Sequence, residues 1–211
     1  MRIIIGVTIL SGLMFLSACS DPAADKTKAV TSEAAQVASP QTAAGQGQRY
    51  QITPQNSKIE FIGSKVTGSE HGSFGKFSGH IDYAGTPENS RVNITIDVDS
   101  VQTDSDGLAK HLKTADFFDA AKYPQVTFVS TAIKPGGENG ATHTVTGNLT
   151  MHNVTKSVTF PATIAVTPDT ATVDSTFSIN RKDFGINYAG AADNLIRDNV
   201  ALTLHVRATK G

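Results

Sequence analysis

The 211-residue sequence contains one cysteine and no tryptophan, and its 18 basic and 19 acidic side chains nearly cancel. A lone thiol has no partner for an internal disulfide, so the fold must stand on its buried core. Charge balance without a basic stripe argues against a nucleic acid partner. No polybasic cluster marks a membrane-surface patch. His71, His80, His111, His143, His152 and His205 are not spaced as metal-ligand pairs on one element, so neither a metal nor another cofactor is expected. Serines are common, yet none sits in a nucleophile elbow. Catalysis is therefore not expected, which leaves binding or structural roles.

The apolar stretch over residues 3–16 follows Arg2 and is shorter than the about 20 residues that a membrane-spanning helix needs. A basic start, an apolar run and the small residues Ser17 and Ala18 make residues 1–18 a secretory signal. Small residues just ahead of Cys19 resemble a bacterial lipobox, in which the thiol is acylated and the chain cut in front of it. Cys19 is thus the expected lipidation site and the membrane anchor. The competing reading is an ordinary cleaved signal with an incidental cysteine. Ser20 rather than an acidic residue follows Cys19 directly. By analogy with Gram-negative lipoproteins, that points to a periplasm-facing protein at the outer membrane of the cell envelope. Residues 19–48 are mostly Ala, Thr, Ser, Gln and Pro, with Val30 and Val37 as the only branched apolar side chains. So little apolar surface cannot offset the cost of ordering, and a disordered tether is expected. Residues 49–211 are the size of one domain.

That domain reads as strand after strand with apolar residues at period two. Val92, Ile94, Ile96 and Val98 alternate with polar neighbours, as do Val158, Phe160, Ala162 and Ile164. Val173, Phe177 and Ile179, then Val200, Leu202, Leu204 and Val206, repeat the pattern; weaker versions occur at Ile59/Phe61, Phe77/Ile81, Val126/Phe128 and Val145/Leu149. Turn signals at residues 68–72, 85–87, 135–137, 152–153 and 168–169 separate the runs, and such short links require antiparallel neighbours. One longer connection, residues 103–124, carries a helical stretch over 107–114. The expected fold is all-β: eight antiparallel strands with one apolar face, covered by closing into a barrel or packing as two sheets.

Five ordered stretches carry a family resemblance. They are Tyr50-Gln51-Ile52-Thr53-Pro54 with Ser57-Lys58-Ile59-Glu60-Phe61; Gly72-Ser73-Phe74-Gly75-Lys76-Phe77; Asp99-Ser100-Val101-Gln102-Thr103 with His111-Leu112-Lys113-Thr114-Ala115-Asp116-Phe117-Phe118; Leu149-Thr150-Met151-His152-Asn153; and Phe177-Ser178-Ile179-Asn180-Arg181. From Tyr50 onward the chain resembles the YceI family. The resemblance implies an eight-stranded lipocalin-like barrel with one helical connection, binding a polyisoprenoid or similar long amphiphile. Gly107-Leu108 stands where the family often shows Arg-Asp, which removes any head-group role for that pair.

An eight-stranded barrel can fill its interior or enclose one slender ligand. Gly63, Gly79 and Gly147 share the inward parity of their strands and leave room, although glycines equally mark bulges and bends. The resemblance favours a lumen. Its apolar lining is expected from Phe61, Phe77, Ile81, Ile94, Ile96 and Phe128, from Leu149, Phe160, Phe177 and Ile179, and from Leu112, Phe117 and Phe118 on the helical connection. His111 and Arg181 are the head-group candidates, Arg181 through a guanidinium clamp on phosphate or carboxylate. An ion pair of Arg181 with Asp183 or Asp198 and simple surface packing of His111 are the plainer roles. The expected function is carriage or sequestration of an isoprenoid-like lipid by an anchored protein, with a homodimer left open. The alternative is a structural or stress-associated lipoprotein with a filled barrel.

Overall fold

A computed structural model describes residues 21–36 and 47–211; the signal segment and Cys19 lie outside these described residues. The alternating runs fold as strands β1 (Val30–Glu33), β2 (Gln48–Ile52), β3 (Lys58–Lys65), β4 (Gly68–Phe74), β5 (Phe77–Tyr83), β6 (Arg91–Asp97) and β7 (Val101–Thr103). Helix α1 (Asp106–Leu112) follows, then β8 (Gln125–Pro135), β9 (His143–Met151), β10 (Val154–Val166), β11 (Thr170–Asn180), β12 (Gly190–Ala191), β13 (Asn194–Leu195) and β14 (Asn199–Lys210). Three walls of the barrel are interrupted strands. β2 and β3 both pair antiparallel with β14, β4 and β5 pair with β3 and β2, and β7 and β6 pair with β4 and β5. From β6 the ladder continues through β8, β9, β10 and β11 to β14. The sheet is therefore closed into an antiparallel barrel of eight walls in sequence order.

The interruptions have local causes. After β6 the Asp97 carboxylate accepts from the Asp99 N–H at 3.0 Å and starts a single 3-10 turn, Val98–Ser100. Ser100 then accepts from the Gly75 N–H at 3.0 Å, pinning the corner between β4 and β5. The β9–β10 hairpin turns on His152 and Asn153, both with positive φ (52° and 61°), the left-handed pair that suits the twist of a two-residue hairpin. Residues 68–72 form strand, not the turn that their glycines suggested: β4 is paired with β3 on one edge and β7 on the other. The helix begins one residue earlier than expected because the Ser105 hydroxyl caps it, accepting from the Leu108 N–H at 3.4 Å.

The first part of the expected disordered tether is ordered instead. Residues 21–36 lie along the barrel, with Ala23 and Ala29 buried and β1 paired to β10. Backbone hydrogen bonds to existing strand edges supply the order that composition alone does not.

Side chains inside the barrel fall into two clusters. One extends inward from the end formed by the start of β2 and the end of β5: Tyr50, Ile52, Phe77, Ile81 and Val206 pack together in it. The Tyr50 hydroxyl donates to the Thr167 carbonyl at 2.7 Å, and the Tyr83 ring meets Tyr50 edge-on. The other cluster surrounds the middle and opposite end. At Gly147 a Cβ would sit 2.3 Å from Cζ of Phe128 and 2.7 Å from the Val129 carbonyl oxygen. Gly147→Ala is thus expected to destabilise the barrel by about 1–3 kcal/mol in urea unfolding, because the ring and backbone must shift together.

Candidate functional site: an apolar lumen

Above the plug the inward faces surround a partly open cavity of about 230 Å³. Phe61, Ile94, Ile96, Phe128, Leu149, Phe160, Phe177 and Ile179 line it from the strands, and Leu112, Phe117 and Phe118 line it from the helical connection. Phe77 and Ile81 do not reach it. Their strand lies beside β2, and both are consumed by the plug around Tyr50. Phe74, Ile186 and Ile196 also line the cavity. Phe74 ends β4, in a stretch read as a turn at its start. Ile186 and Ile196 lie in the irregular connection between β11 and β14, where no periodicity marks an inward side chain.

Several lining side chains, among them Phe61, Ile94, Phe128, Leu149, Leu202 and Leu204, face inward yet are only partly buried. Their residual exposure is to the lumen, so the interior is not filled to ordinary core density. Of the three glycines expected to make room, only Gly63 does so: a Cβ there would meet nothing within 4 Å. The space above Gly147 holds the Phe128 ring, and Gly79 permits close approach of the Asn93 carbonyl, 2.3 Å from a Cβ position.

Aromatic rings organise the wall. Phe160 and Phe177 stack at 4.2 Å with planes 7° apart. Phe74 touches Phe61 at 5.7 Å and Phe118 at 5.9 Å, which ties the strand wall to the helical connection. At the mouth three rings meet edge-on: His111 to Phe117 at 5.0 Å, His111 to Tyr188 at 5.3 Å, and Phe117 to Tyr188 at 5.3 Å. His111 does not line the cavity. Its Nε2 pairs with the Asp116 carboxylate at 2.8 Å, which fixes the ring as part of the rim.

Arg181 lines the cavity from the turn after β11 and is only 4% exposed. Its Nη1 donates to the Ile186 carbonyl at 2.7 Å, Nε to the Arg197 carbonyl at 3.1 Å, and Nη2 to the Ile196 carbonyl at 3.3 Å. Asp198 lies 3.5 Å from Nη2 and also pairs with Lys182 at 2.9 Å. Burial pulls the Arg181 pKa down from its ordinary value, and the Asp198 charge opposes that shift. The guanidinium therefore staples the β11–β14 connection over the lumen. Arg181 and Ile196 also border a polar recess of about 450 Å³, with Asp21, Lys182, Arg197, Asp198 and Asn199 in its wall. Arg197 Nε and Asn199 Oδ1 are buried without a hydrogen-bond partner. Among the described residues no group of three or more His, Cys, Asp or Glu could hold a metal ion.

Comparison with known proteins follows the barrel closely. The sequence profile described as the YceI-like domain matches residues 50–208. A UPF0312 protein of Pseudomonas putida (strain GB-1) is 39% identical over 133 residues, covering 60% of this chain and 68% of the relative. Among solved structures, Burkholderia cenocepacia BcnA superposes with a TM-score of 0.64 at 28% identity, over 75% of this chain and 99% of that one. A polyisoprenoid binding domain from Saccharophagus degradans superposes with a TM-score of 0.62 at 18% identity, over 79% of this chain and 100% of that one. At that identity the likeness is one of fold.

Proposed function

The chain belongs to the YceI-like domain family, and from that premise we propose that its barrel takes up the apolar tail of a long-chain amphiphile, with a polyisoprenoid as the class that fits best. One observation carries the reading: the partly open cavity of about 230 Å³, walled by aromatic and branched aliphatic side chains. A slender, flexible, fully apolar chain suits such a space, since each methylene transferred from water contributes about 0.8 kcal/mol before ordering costs. The polyisoprenoid-binding Saccharophagus degradans domain, which shares the fold, supports the same class.

The head of the ligand belongs at the Arg181 end. Three carbonyls already engage Arg181, so an anionic head would meet Lys182 and Arg197 in the adjoining recess, in competition with their present partners Asp198 at 2.9 Å and Asp21 at 3.8 Å. Nothing in the reading calls for a chemical step: the barrel binds and releases. Acylation of Cys19 would hold the protein on a membrane of the cell envelope, the outer membrane by the residue that follows it, and the role there is carriage or sequestration.

The test is organic extraction of the full chain purified from bacterial membranes. A stoichiometric long-chain lipid in the extract supports the reading and identifies the ligand class. Protein that yields only the bulk phospholipid mixture of the membrane, in amounts that scale with detergent, counts against it and favours a structural barrel.

A further inference from the structure

The barrel wall is not continuous between β10 and β11. Their ladder runs only over 163–166 paired with 171–174. Pro161 explains where it stops. The Pro161 carbonyl accepts from the Ser175 hydroxyl of β11. In an antiparallel ladder the N–H and carbonyl of one residue address the same neighbour. The donor that proline lacks is therefore the one β11 would have needed next.

Beyond that point the N-terminal segment stands between the two strands. On one side, Val30, Thr31, Ser32 and Glu33 pair with Thr159, Val158, Ser157 and Lys156 of β10. On the other, the Ala29 N–H donates to the Ser178 carbonyl at 2.8 Å and the Ser178 N–H donates to the Thr27 carbonyl at 2.9 Å. Residues 27–33 are thus a ninth strand inserted into an eight-walled barrel. They lie outside the 50–208 span of the family match. The strand residues flanking the insertion, Val158 and Phe160 on β10 and Phe177 and Ile179 on β11, all line the lumen.

The inserted strand buries little apolar surface, and beyond its backbone pairing it is held by polar contacts such as the Asn139 Nδ2 donation to the Thr27 hydroxyl at 2.7 Å. Ala29, 4% exposed, is its only buried residue, and Val30 is 67% exposed. The Glu33–Lys156 pair at 2.6 Å has Glu33 91% exposed, where ion pairs contribute little. One barrel end is plugged by the cluster around Tyr50 and Ile52, and at the mouth the rings of His111, Phe117 and Tyr188 pack edge-on against one another. A short strand that buries one alanine belongs to the low end of local stability.

We infer that residues 27–33 are a removable strap over a lateral slot between β10 and β11, and that an amphiphile's tail passes between lumen and surroundings through this slot. The inference rests on the proposed binding function and adds its route. The strap follows Cys19 closely in sequence, so an acylated Cys19 would present the slot to a lipid surface.

The test uses the full chain with Cys19→Ser, so that a single introduced pair, Ser32→Cys with Ser157→Cys, is the only source of a disulfide; these two residues are direct cross-strand partners. The probe is all-trans retinol, a fluorescent isoprenoid alcohol, followed by stopped-flow. Oxidation is expected to slow uptake and release together by about tenfold or more with affinity nearly unchanged, since a crosslink that bars the route alters rates and not the end states. Reduction should restore both rates. Unchanged exchange in the fully oxidised protein overturns the inference. Amide hydrogen exchange separates this outcome from failure of the binding reading itself. Should the reduced protein take up no retinol, the binding reading falls, and the amides of Ala29 and Ser178 decide the strap. Exchange there well ahead of the β8–β9 ladder supports a strand that opens. Protection equal to that ladder overturns it.

Discussion

Replacing Gly63 with phenylalanine should abolish uptake of an apolar chain while leaving the barrel folded. Gly63 lies on β3, lines the cavity, and has open space where a Cβ would stand. A benzyl group there projects into the lumen instead of into a neighbour. The expected loss in retinol affinity by fluorescence titration is about 100-fold or more, equivalent to about 2.7 kcal/mol or more. Stability should hold or rise, because filling apolar space buries surface worth about 1.5–3 kcal/mol for a whole aromatic side chain. The contrast with Gly147→Ala makes the test specific. One glycine faces emptiness and the other a ring, so the larger substitution should be the milder one. Full retinol affinity in a folded Gly63→Phe protein would mean that the chain binds elsewhere.

Arg181→Met is expected to destabilise the protein by about 2–3 kcal/mol in urea unfolding, through the carbonyl acceptors it leaves without a donor. The methionine side chain removes the donor to three carbonyls, those of Ile186, Ile196 and Arg197, and buried acceptors without partners are costly. Asp198 keeps Lys182 as a partner at 2.9 Å, so most of the loss falls on the backbone of the β11–β14 connection. Arg181→Lys should recover only a minority of it, because an ammonium cannot reproduce the planar fork that reaches three acceptors. The same pair of variants tests the head-group assignment. If Arg181 were held chiefly for a ligand, Arg181→Met would lose affinity for an anionic amphiphile with stability nearly intact.

Much of the barrel is legible in the sequence because a strand with one wet face writes its structure at period two. Val92, Ile94 and Ile96, or Phe160 and Ile164, name their own inward face, and the strands they identify enclose the lumen. Two kinds of feature are not written that way. The mouth is built from irregular chain, in which Ile186, Ile196 and the Tyr188 ring are positioned by Arg181's bonds to carbonyls and not by any repeat. The strap is invisible for a different reason. Residues 27–33 have the composition of a tether and become a strand only because Pro161 leaves an edge of β10 unpaired. Phe77 and Ile81 show the limit of parity itself. It assigns a face but not which interior cluster a side chain joins, and these two pack into the cluster around Tyr50. The glycines illustrate the same ambiguity, since the residue type that leaves a lumen open at Gly63 also permits close packing at Gly79 and Gly147.

A hollow barrel that receives one apolar chain should hold it in a one-to-one complex. Native mass spectrometry of the full-length protein titrated with a polyprenyl phosphate tests it most directly. A single equivalent of the lipid is expected to stay with the protein, while Gly63→Phe, equally folded, is expected to show the ligand-free mass alone. Ligand-free mass for the unaltered protein at every lipid concentration, or equal retention by the Gly63→Phe variant, would contradict it.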